Sequence, residues 1–521
     1  MLLVTAGQMQ AMDRKTIDSF GLPGLLLMEN AGRGAFDFLL ETFSAPVPGK
    51  VAVIAGRGNN GGDGFVIARY LMEKKIRVNI FLMSSKDRVT GDAAANMKLA
   101  ETLCNCHSGC SIIEVPDADA LEACRPQIFH SDLIVDALLG TGLNSDVRGF
   151  FKTAIQWMNE SRAPVFSVDI PSGLNADTGR PMGIAVKADA TATFAFAKSG
   201  HVLYPGNTYT GRLKIIDIGI PDFIAEQENI KFSMIEKHDI ASMFRPRRFQ
   251  DHKGSFGHVL VVAGSTGKTG AAALCANAAM RCGAGLVTLG AAKSINSTLE
   301  PMVMEPMTCP LPEDEKGFLA EHSFKTIEKI AQGKQVIAIG PGIGTQPGTK
   351  KLVEKIVTDS NIPMVIDADA INCIAGNTSV LDRKKAPAVL TPHPGEMARL
   401  CSVTTEMVQD DRPGIASQFA KDHNVIVVLK GARTIISFPD GACHICPTGN
   451  PGMASGGMGD VLTGMIAAFH AQGFSLENAS LAAVYIHGLA ADILSHETGA
   501  FGFIANDLVS IIPQTIHKHL K

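Results

Sequence analysis

Two glycine-rich loops of different design lie about 400 residues apart in this 521-residue chain, and both have the composition of anion sites. The first is Gly56-Arg57-Gly58-Asn59-Asn60-Gly61-Gly62-Asp63-Gly64, entered from the apolar run 51–55 and left through 65–71. The second, Gly449-Asn450-Pro451-Gly452-Met453-Ala454-Ser455-Gly456-Gly457-Met458-Gly459-Asp460, opens into the helical pattern 461–469. A glycine-rich turn at a helix N-terminus offers unpaired N–H groups and the positive end of the helix dipole, so each loop suits a phosphate. The second ends in an acid. That order suits in-line phosphoryl transfer, in which backbone donors stabilise the moving phosphoryl and Asp460 takes the acceptor's proton. Around the first loop the groups are different: Asn59 and Asn60 offer amides, while Asp136 and Ser172 offer the oxygen ligands a hard cation prefers. Two active sites for a phosphate-bearing ligand are expected.

Alternating strand and helix patterns must position these groups. In the first 220 residues, helices are expected over 9–20 and 25–40, the second carrying Glu29 and Asn30 in an apolar stretch. Strands are expected at 51–55, 77–83, 133–136, 165–170, 192–196 and 213–218. Short, nearly continuous apolar strands between helices predict a parallel sheet covered on both faces, with ligands bound beyond the carboxyl ends of the strands. The loops found there are Gly58–Gly64, then Asp136-Ala137-Leu138-Leu139-Gly140-Thr141-Gly142, then Asp169-Ile170-Pro171-Ser172-Gly173, with Lys198-Ser199-Gly200-His201 at a fourth strand end. Any one of these is an ordinary turn or helix cap; three on one edge make a site. Residues 221–240 lose the alternation, giving a division into 1–222, a linker 223–240 and 241–521.

The second half alternates again, with strands expected at 259–263, 286–289, 336–339, 364–366, 388–390 and 425–429. Gly264-Ser265-Thr266-Gly267-Lys268-Thr269-Gly270 has only two residues where a Walker loop needs four, so it is not one. Other strand-end loops are Gly340-Pro341-Gly342-Ile343-Gly344, Asp367-Ala368-Asp369-Ala370, Thr391-Pro392-His393-Pro394-Gly395-Glu396 and Lys430-Gly431-Ala432-Arg433-Thr434. The basic residues Arg247, Arg248 and Lys253 read as solvated surface, with phosphate contact the sharper alternative.

Composition limits the function. The length predicts two or three domains, and 46% hydrophobic with 19% charged residues is globular. A formal net charge of −4 gives no reason to expect nucleic acid. Eleven cysteines in a long chain point to reduced thiols and a cytoplasmic enzyme. The Cys104, Cys106, His107, Cys110 cluster lacks the second half of a structural metal site. No signal peptide or membrane span is expected.

The first-half motifs, Gly58–Gly64, Asp136–Gly142 and Asp169-Ile170-Pro171-Ser172-Gly173, resemble the NAD(P)H-hydrate epimerase family over nearly all of residues 1–220. The resemblance implies a Rossmann-like fold whose contacts with the hydrated nucleotide are Asn59, Asn60, Gly61, Gly62, Asp63, Gly140, Thr141, Gly142, Leu143, Asn144, Ser145 and Asp146. It also implies potassium held by Asn60, Asp136 and Ser172, with Asp169 as the ligand-contacting acid–base group. Residues from about 244 to the end resemble the ADP-dependent NAD(P)H-hydrate dehydratase, of ribokinase-like α/β fold. The motifs are His252-Lys253-Gly254, Gly340-Pro341-Gly342, Asp367–Ala370, Thr391–Glu396 and Gly456–Leu462. This implies hydrate contacts at Ala271, Gly342, His393 and Asp460, with Asp460 catalytic. Nucleotide contacts are implied at Lys430, Gly431, Ala432, Arg433, Thr434 and Gly459. Magnesium is expected near Glu396, ADP as co-substrate, hydrated NADH and NADPH as substrates, and a homo-oligomer. A vitamin or sugar kinase fused to a non-catalytic nucleotide-binding module stays open as the alternative.

Overall fold

The computed structural model describes residues 1–43 and 49–519. The chain divides into two compact units, residues 2–232 and residues 233–521 with Met1. The interval 223–240 holds the helix Asp222–Gln227, the strand Phe232–Met234 and the helix Lys237–Ala241.

The first unit is built on seven parallel strands in the order Ser111–Glu114, Arg77–Leu82, Lys50–Ala55, Leu133–Ala137, Val165–Val168, Ala190–Phe194, Arg212–Ile216. The side chains of Lys50–Ala55 divide by the two-residue strand period. Val51, Val53 and Ala55 join a core with the helices Gly24–Thr42, Asn59–Glu73 and Gly91–Cys106. Ala52 and Ile54 join another with Ala118–Phe129 and Gly149–Glu160. Both faces are covered, which is why these strands are apolar throughout. The chain order reverses between Lys50–Ala55 and Leu133–Ala137, so the loops after these two strands flank a topological switch point.

The second unit carries a ten-stranded sheet. Seven of its strands are parallel: Ile426–Leu429, Ala388–Leu390, Met364–Ile366, Val336–Ile339, His258–Val262, Leu286–Ala292 and Met307–Leu311, in that order. Its switch point lies between His258–Val262 and Val336–Ile339. The helix Met458–Ala471 lies against Thr269–Arg281, and a Cβ on Gly464 would come 2.2 Å from the Cys275 carbonyl oxygen. Both units are α/β folds with parallel sheets. Among the described residues no helix is long and apolar enough to cross a membrane.

Several elements differ from the sequence reading. The first helix covers Ala6–Arg14 and then widens into a π-helical segment, Lys15–Phe20, ended by Gly21 at φ 86°. The strands Ser111–Glu114, Met307–Leu311, Ile435–Ser437 and Cys443–Ile445 were not expected. Only two residues of Ser111–Glu114 are strongly apolar, and Pro310 interrupts Met307–Leu311; both are sheet edges, where such residues are tolerated. The other pair forms an antiparallel hairpin around Pro439-Asp440-Gly441. Glu29 and Asn30 turn out to be structural: Glu29 pairs with Arg69 and accepts from Tyr70 Oη at 2.7 Å, and Asn30 Nδ2 donates to the Ile218 carbonyl at 3.0 Å.

Candidate active sites

A cavity of about 930 Å3 opens at the switch point of the first unit, lined by residues 56–60, 138–144, Asp13, Asp63, Asp169 and Lys198 among others. The helix Asn59–Glu73 begins directly over the end of Lys50–Ala55. A Cβ on Gly61 would lie 1.9 Å from the Gly56 carbonyl oxygen, so the glycine there is required by close approach. A Cβ on Gly62 would lie 2.6 Å from the Met28 sulfur, the end of a side chain that can give way. Asn59, Asn60 and Asp63 line the cavity, as do Gly140, Thr141, Gly142, Leu143 and Asn144; Ser145 and Asp146 are exposed outside that lining.

Asp136 and Ser172 are brought into contact. Asp136 is fully buried and stands in register with Ser167 on the adjacent strand. Its carboxylate accepts from Ser167 Oγ at 2.8 Å, Ser172 N at 2.8 Å and Ser172 Oγ at 2.5 Å. Burial raises its pKa and these donors oppose the shift. Leu139 joins the third group: its N–H donates to Ser172 Oγ at 2.8 Å, and its carbonyl accepts from Asn60 Nδ2 at 3.1 Å. Asn60 Oδ1 is buried without a hydrogen-bond partner. A buried amide oxygen in that state costs about 1–3 kcal/mol. With an all-oxygen donor set beside it, the residues fit a cation such as potassium.

Asp169 follows its strand in a left-handed conformation, φ 61°, uncommon for a residue with a side chain. Three contacts hold it. Asp169 N donates to the Ala192 carbonyl at 2.7 Å, His201 Nε2 lies 2.9 Å from the Asp169 carbonyl, and Lys198 Nζ lies 2.5 Å from Oδ1. Lys198 N donates to His201 Nδ1 at 3.0 Å, so Nε2 carries the ring proton. Burial, helped by Lys198, lowers the His201 pKa to about 4 and keeps the ring neutral. For Asp169, burial alone would favour the acid, but the Lys198 ammonium outweighs it and holds the carboxyl below its ordinary value. Asp13 is pushed up to about 6 by burial, and burial holds Asp63 well above the carboxylate range.

In the second unit, Gly457 at φ 93° turns the glycine loop into Met458–Ala471, placing Asp460 in the helix's first turn. Asp492 braces the loop, accepting from Gly449 N and Asn450 Nδ2 at 2.9 Å each. Asp367 is the hub beneath it: Lys430 Nζ lies 2.8 Å away, and the hydroxyls of Thr391 and Thr463 are each at 2.7 Å. The next residue, Ala368, has φ 49°. A Cβ on Gly459 would lie 3.1 Å from Lys430 Nζ, so Gly459, Lys430 and Asp367 come together. Burial, then the Asp367 charge, raises Asp460 to about 7, with Lys430 opposing. Burial works against the Lys430 ammonium, but Asp367 and Glu396 prevail and raise its pKa.

Gly342 and Ala271 are adjacent, since a Cβ on Gly342 would be 3.3 Å from that of Ala271. His393 caps the helix Pro394–Cys401, Nδ1 accepting from Gly395 N at 3.0 Å, while Glu396 Oε2 accepts from His393 N at 2.8 Å. The Lys430–Thr434 segment is shaped by Arg412, whose buried guanidinium bonds the Leu429 carbonyl at 3.2 Å, that of Lys430 at 3.3 Å, and that of Ala432. Arg433 Nη1 donates to the Pro447 carbonyl at 2.8 Å, and Thr434 Oγ1 to that of Gly431 at 3.0 Å. Arg247 stacks 3.7 Å over the Phe256 ring and donates to the Gly283 carbonyl at 2.7 Å, which gives it a packing role.

Sequence reasoning missed Asp13, the hub role of Asp367, and Arg412. A helix-borne acid beside buried methionines was the one signal for Asp13; nothing in the sequence marks Arg412.

Residues 24–200 match the family described as YjeF-related protein N-terminus, and 259–514 the family described as NAD(P)H-hydrate dehydratase. The bifunctional NAD(P)H-hydrate repair enzyme Nnr of Moorella thermoacetica is 38% identical over 520 residues, covering 99% of this chain and 97% of its own. The protein of the same name from Salinibacter ruber is 36% identical, covering 98% and 95%. A solved chain, described as ADP/ATP-dependent NAD(P)H-hydrate dehydratase from Bacillus subtilis co-crystallised with ATP/Mg2+, is 30% identical at a TM-score of 0.49, covering 56% of this chain and 99% of its own. With an epimerase-type unit and a dehydratase-type unit matched end to end, the chain belongs to the bifunctional NAD(P)H-hydrate repair enzymes.

Proposed function

We propose that the first unit interconverts the R and S epimers of hydrated NADH and NADPH, and that the second dehydrates the S epimer at the expense of ADP, giving AMP and phosphate. The observation that carries the reading is the second site's combination of groups: an acid poised at about 7 at the N-terminus of a helix, directly after a glycine-rich loop. The hydrate bears a hydroxyl on the ring carbon next to nitrogen, and hydroxide leaves poorly. Phosphorylation of that hydroxyl makes it a leaving group, and the ring nitrogen's lone pair then expels phosphate. Asp460 takes the hydroxyl's proton as the phosphoryl arrives. Lys430 and the loop N–H groups carry the charge that develops on the phosphoryl oxygens. Glu396, buried and fixed on the His393 N–H, is the hard-oxygen group suited to the nucleotide's magnesium.

One enzyme face presents one epimer's hydroxyl to Asp460, so the first unit is needed to make the other available. There Asp169 is a proton-transfer group beside that carbon. Asn60, Asp136 and Ser172 would hold potassium, which supplies positive charge that keeps the loops in register and Asp136 ionised.

The test is incubation of the purified chain with mixed epimers and ADP or ATP. Repair gives restored absorbance of the reduced nicotinamide, free phosphate and, with ADP, AMP. A stable phosphorylated product would instead establish a small-molecule kinase.

A further inference from the structure

Four aspartates line the first cavity, Asp13, Asp63, Asp92 and Asp169, and the last of them is committed. The Lys198 ammonium directs its three donors to Asp169 Oδ1 at 2.5 Å, Thr193 Oγ1 at 3.0 Å and the Phe194 carbonyl at 3.2 Å. It has none left for a ligand. Asp169 Oδ1 also lies 3.1 Å from Thr193 Oγ1 and accepts from Phe194 N at 3.4 Å. Such a group is held as a carboxylate. It can take a proton from an incoming water, but the departing hydroxyl of the other half-reaction needs a donor.

Asp13 and Asp63 line the same cavity, and among the described residues no hydrogen bond reaches either carboxyl. Asp13 comes from the helix Ala6–Arg14, anchored by the Thr5–Gln8 capping box and by buried Met9 and Met12. Two residues later the chain widens into its π-helical turn, a distortion found often at functional sites. The charged groups acting on Asp13 are Lys198 and Asp169, and it acts in turn on Asp63.

Resting on the epimerase reading, we propose that Asp13 is the proton donor to the departing hydroxyl, with Asp169 as the base that receives a proton from the water returning on the other face. In the first step the C–O bond breaks while the ring nitrogen's lone pair forms a C=N bond, and the Asp13 proton leaves with the oxygen as water. In the second, water adds to the opposite face of that carbon and the C=N pair returns to nitrogen. The excess proton passes to Asp169. One proton has moved from Asp13 to Asp169, and the reverse reaction or exchange with solvent moves it back. No oxidant or reductant is needed. Asp63 is the poorer donor, because it is buried where Asp13 is only half-buried, and that burial holds its carboxyl well above the ordinary carboxylate value, whereas a group at about 6 gives and regains its proton.

The experiment uses the full chain, one purified epimer of hydrated NADH, potassium and no nucleotide, with the epimers resolved chromatographically over short times. The wild-type rate should fall as pH rises past about 6, because the donor must be protonated. Asp13→Asn should lower kcat roughly 10²–10⁴-fold with KM little changed and remove that fall. Asp13→Glu should restore part of the rate and the fall with it. The inference is overturned if Asp13→Asn keeps the wild-type rate, if Asp13→Glu restores nothing, or if the loss follows Asp63→Asn alone. A wild-type chain that does not interconvert the epimers would instead sink the epimerase reading itself.

Discussion

The two sites use the same residue types in opposite ways. In the first unit a lysine, wholly buried, sits directly on the aspartate that faces the cavity, Lys198 Nζ to Asp169 Oδ1 at 2.5 Å. In the second, Lys430 sits at 2.8 Å on Asp367, one side chain removed from the group that faces the loop. The first arrangement holds Asp169 below its ordinary pKa. The second leaves Asp460 with the Asp367 and Glu396 charges around it, and burial raises it to about 7. In the first site the lysine outweighs burial and lowers the carboxyl's pKa, whereas in the second burial and then the Asp367 charge outweigh the lysine and leave a base poised near neutrality. The difference suits the chemistry proposed for each site: water adding to an activated carbon needs only a weak base, while a hydroxyl attacking phosphorus needs a group that can hold its proton.

The comparison breaks most visibly at Asp460. Asp460→Asn should lower ADP-dependent dehydration of the S epimer by roughly 10²–10⁴-fold, the range of a general base, while interconversion of the epimers continues. Loss of both activities together would mean that the substitution unfolds the chain rather than removing a base.

Asp169→Asn is the counterpart and should act only on the other reaction. With a mixed substrate, dehydration should run at the parent's initial rate and then stop with the R epimer unused. Spontaneous interconversion blurs that plateau, so the measurement is a short time course with both epimers quantified. Equal consumption of the two epimers would place the catalytic group elsewhere.

What the sequence carried and what it did not can be seen in particular residues. The strands were legible because their runs are continuously apolar, and the residues after them were legible as site-formers because parallel sheets put loops at one edge. Asp136 and Ser172 lie 36 positions apart, yet one stands near the carboxyl end of its strand and the other in the loop after the next, and the structure bonds them. Asp13 was not legible, since a polar residue at a helix border faces solvent or a cavity depending on what lies over it. Arg412 was not legible either, because its partners are backbone carbonyls, which every residue has. The edge strands escaped because edge positions do not demand the apolar period that reveals central ones.

A smaller effect sharpens the contrast between the lysines. Asp460 must be deprotonated to act, so dehydration should rise with pH through about 7. Lys430 opposes the upward shift of Asp460, and its removal therefore moves that limb to higher pH. Lys430→Met should displace it by roughly one unit, as expected for loss of a nearby opposite charge. The epimerisation profile should not move. A limb that stays in place would show that the Lys430 field does not reach Asp460.

The smallest expected effect concerns Asn60 and is read in stability rather than rate. Its Oδ1 is buried without a partner, at a cost of about 1–3 kcal/mol, while its Nδ2 bond to the Leu139 carbonyl contributes about 0.5–1.5 kcal/mol. Without potassium, Asn60→Ala removes both, and the terms offset in part, leaving a difference between about −0.5 and 2.5 kcal/mol. A cation that binds the folded chain stabilises it by mass action. The parent should therefore melt at a higher temperature in potassium chloride than in a larger organic cation's chloride at equal ionic strength. Asn60→Ala should melt at the same temperature in both salts. An unchanged potassium effect in the variant would remove Asn60 from the cation site. No potassium effect in the parent would leave the orphaned oxygen without the ligand that explains it.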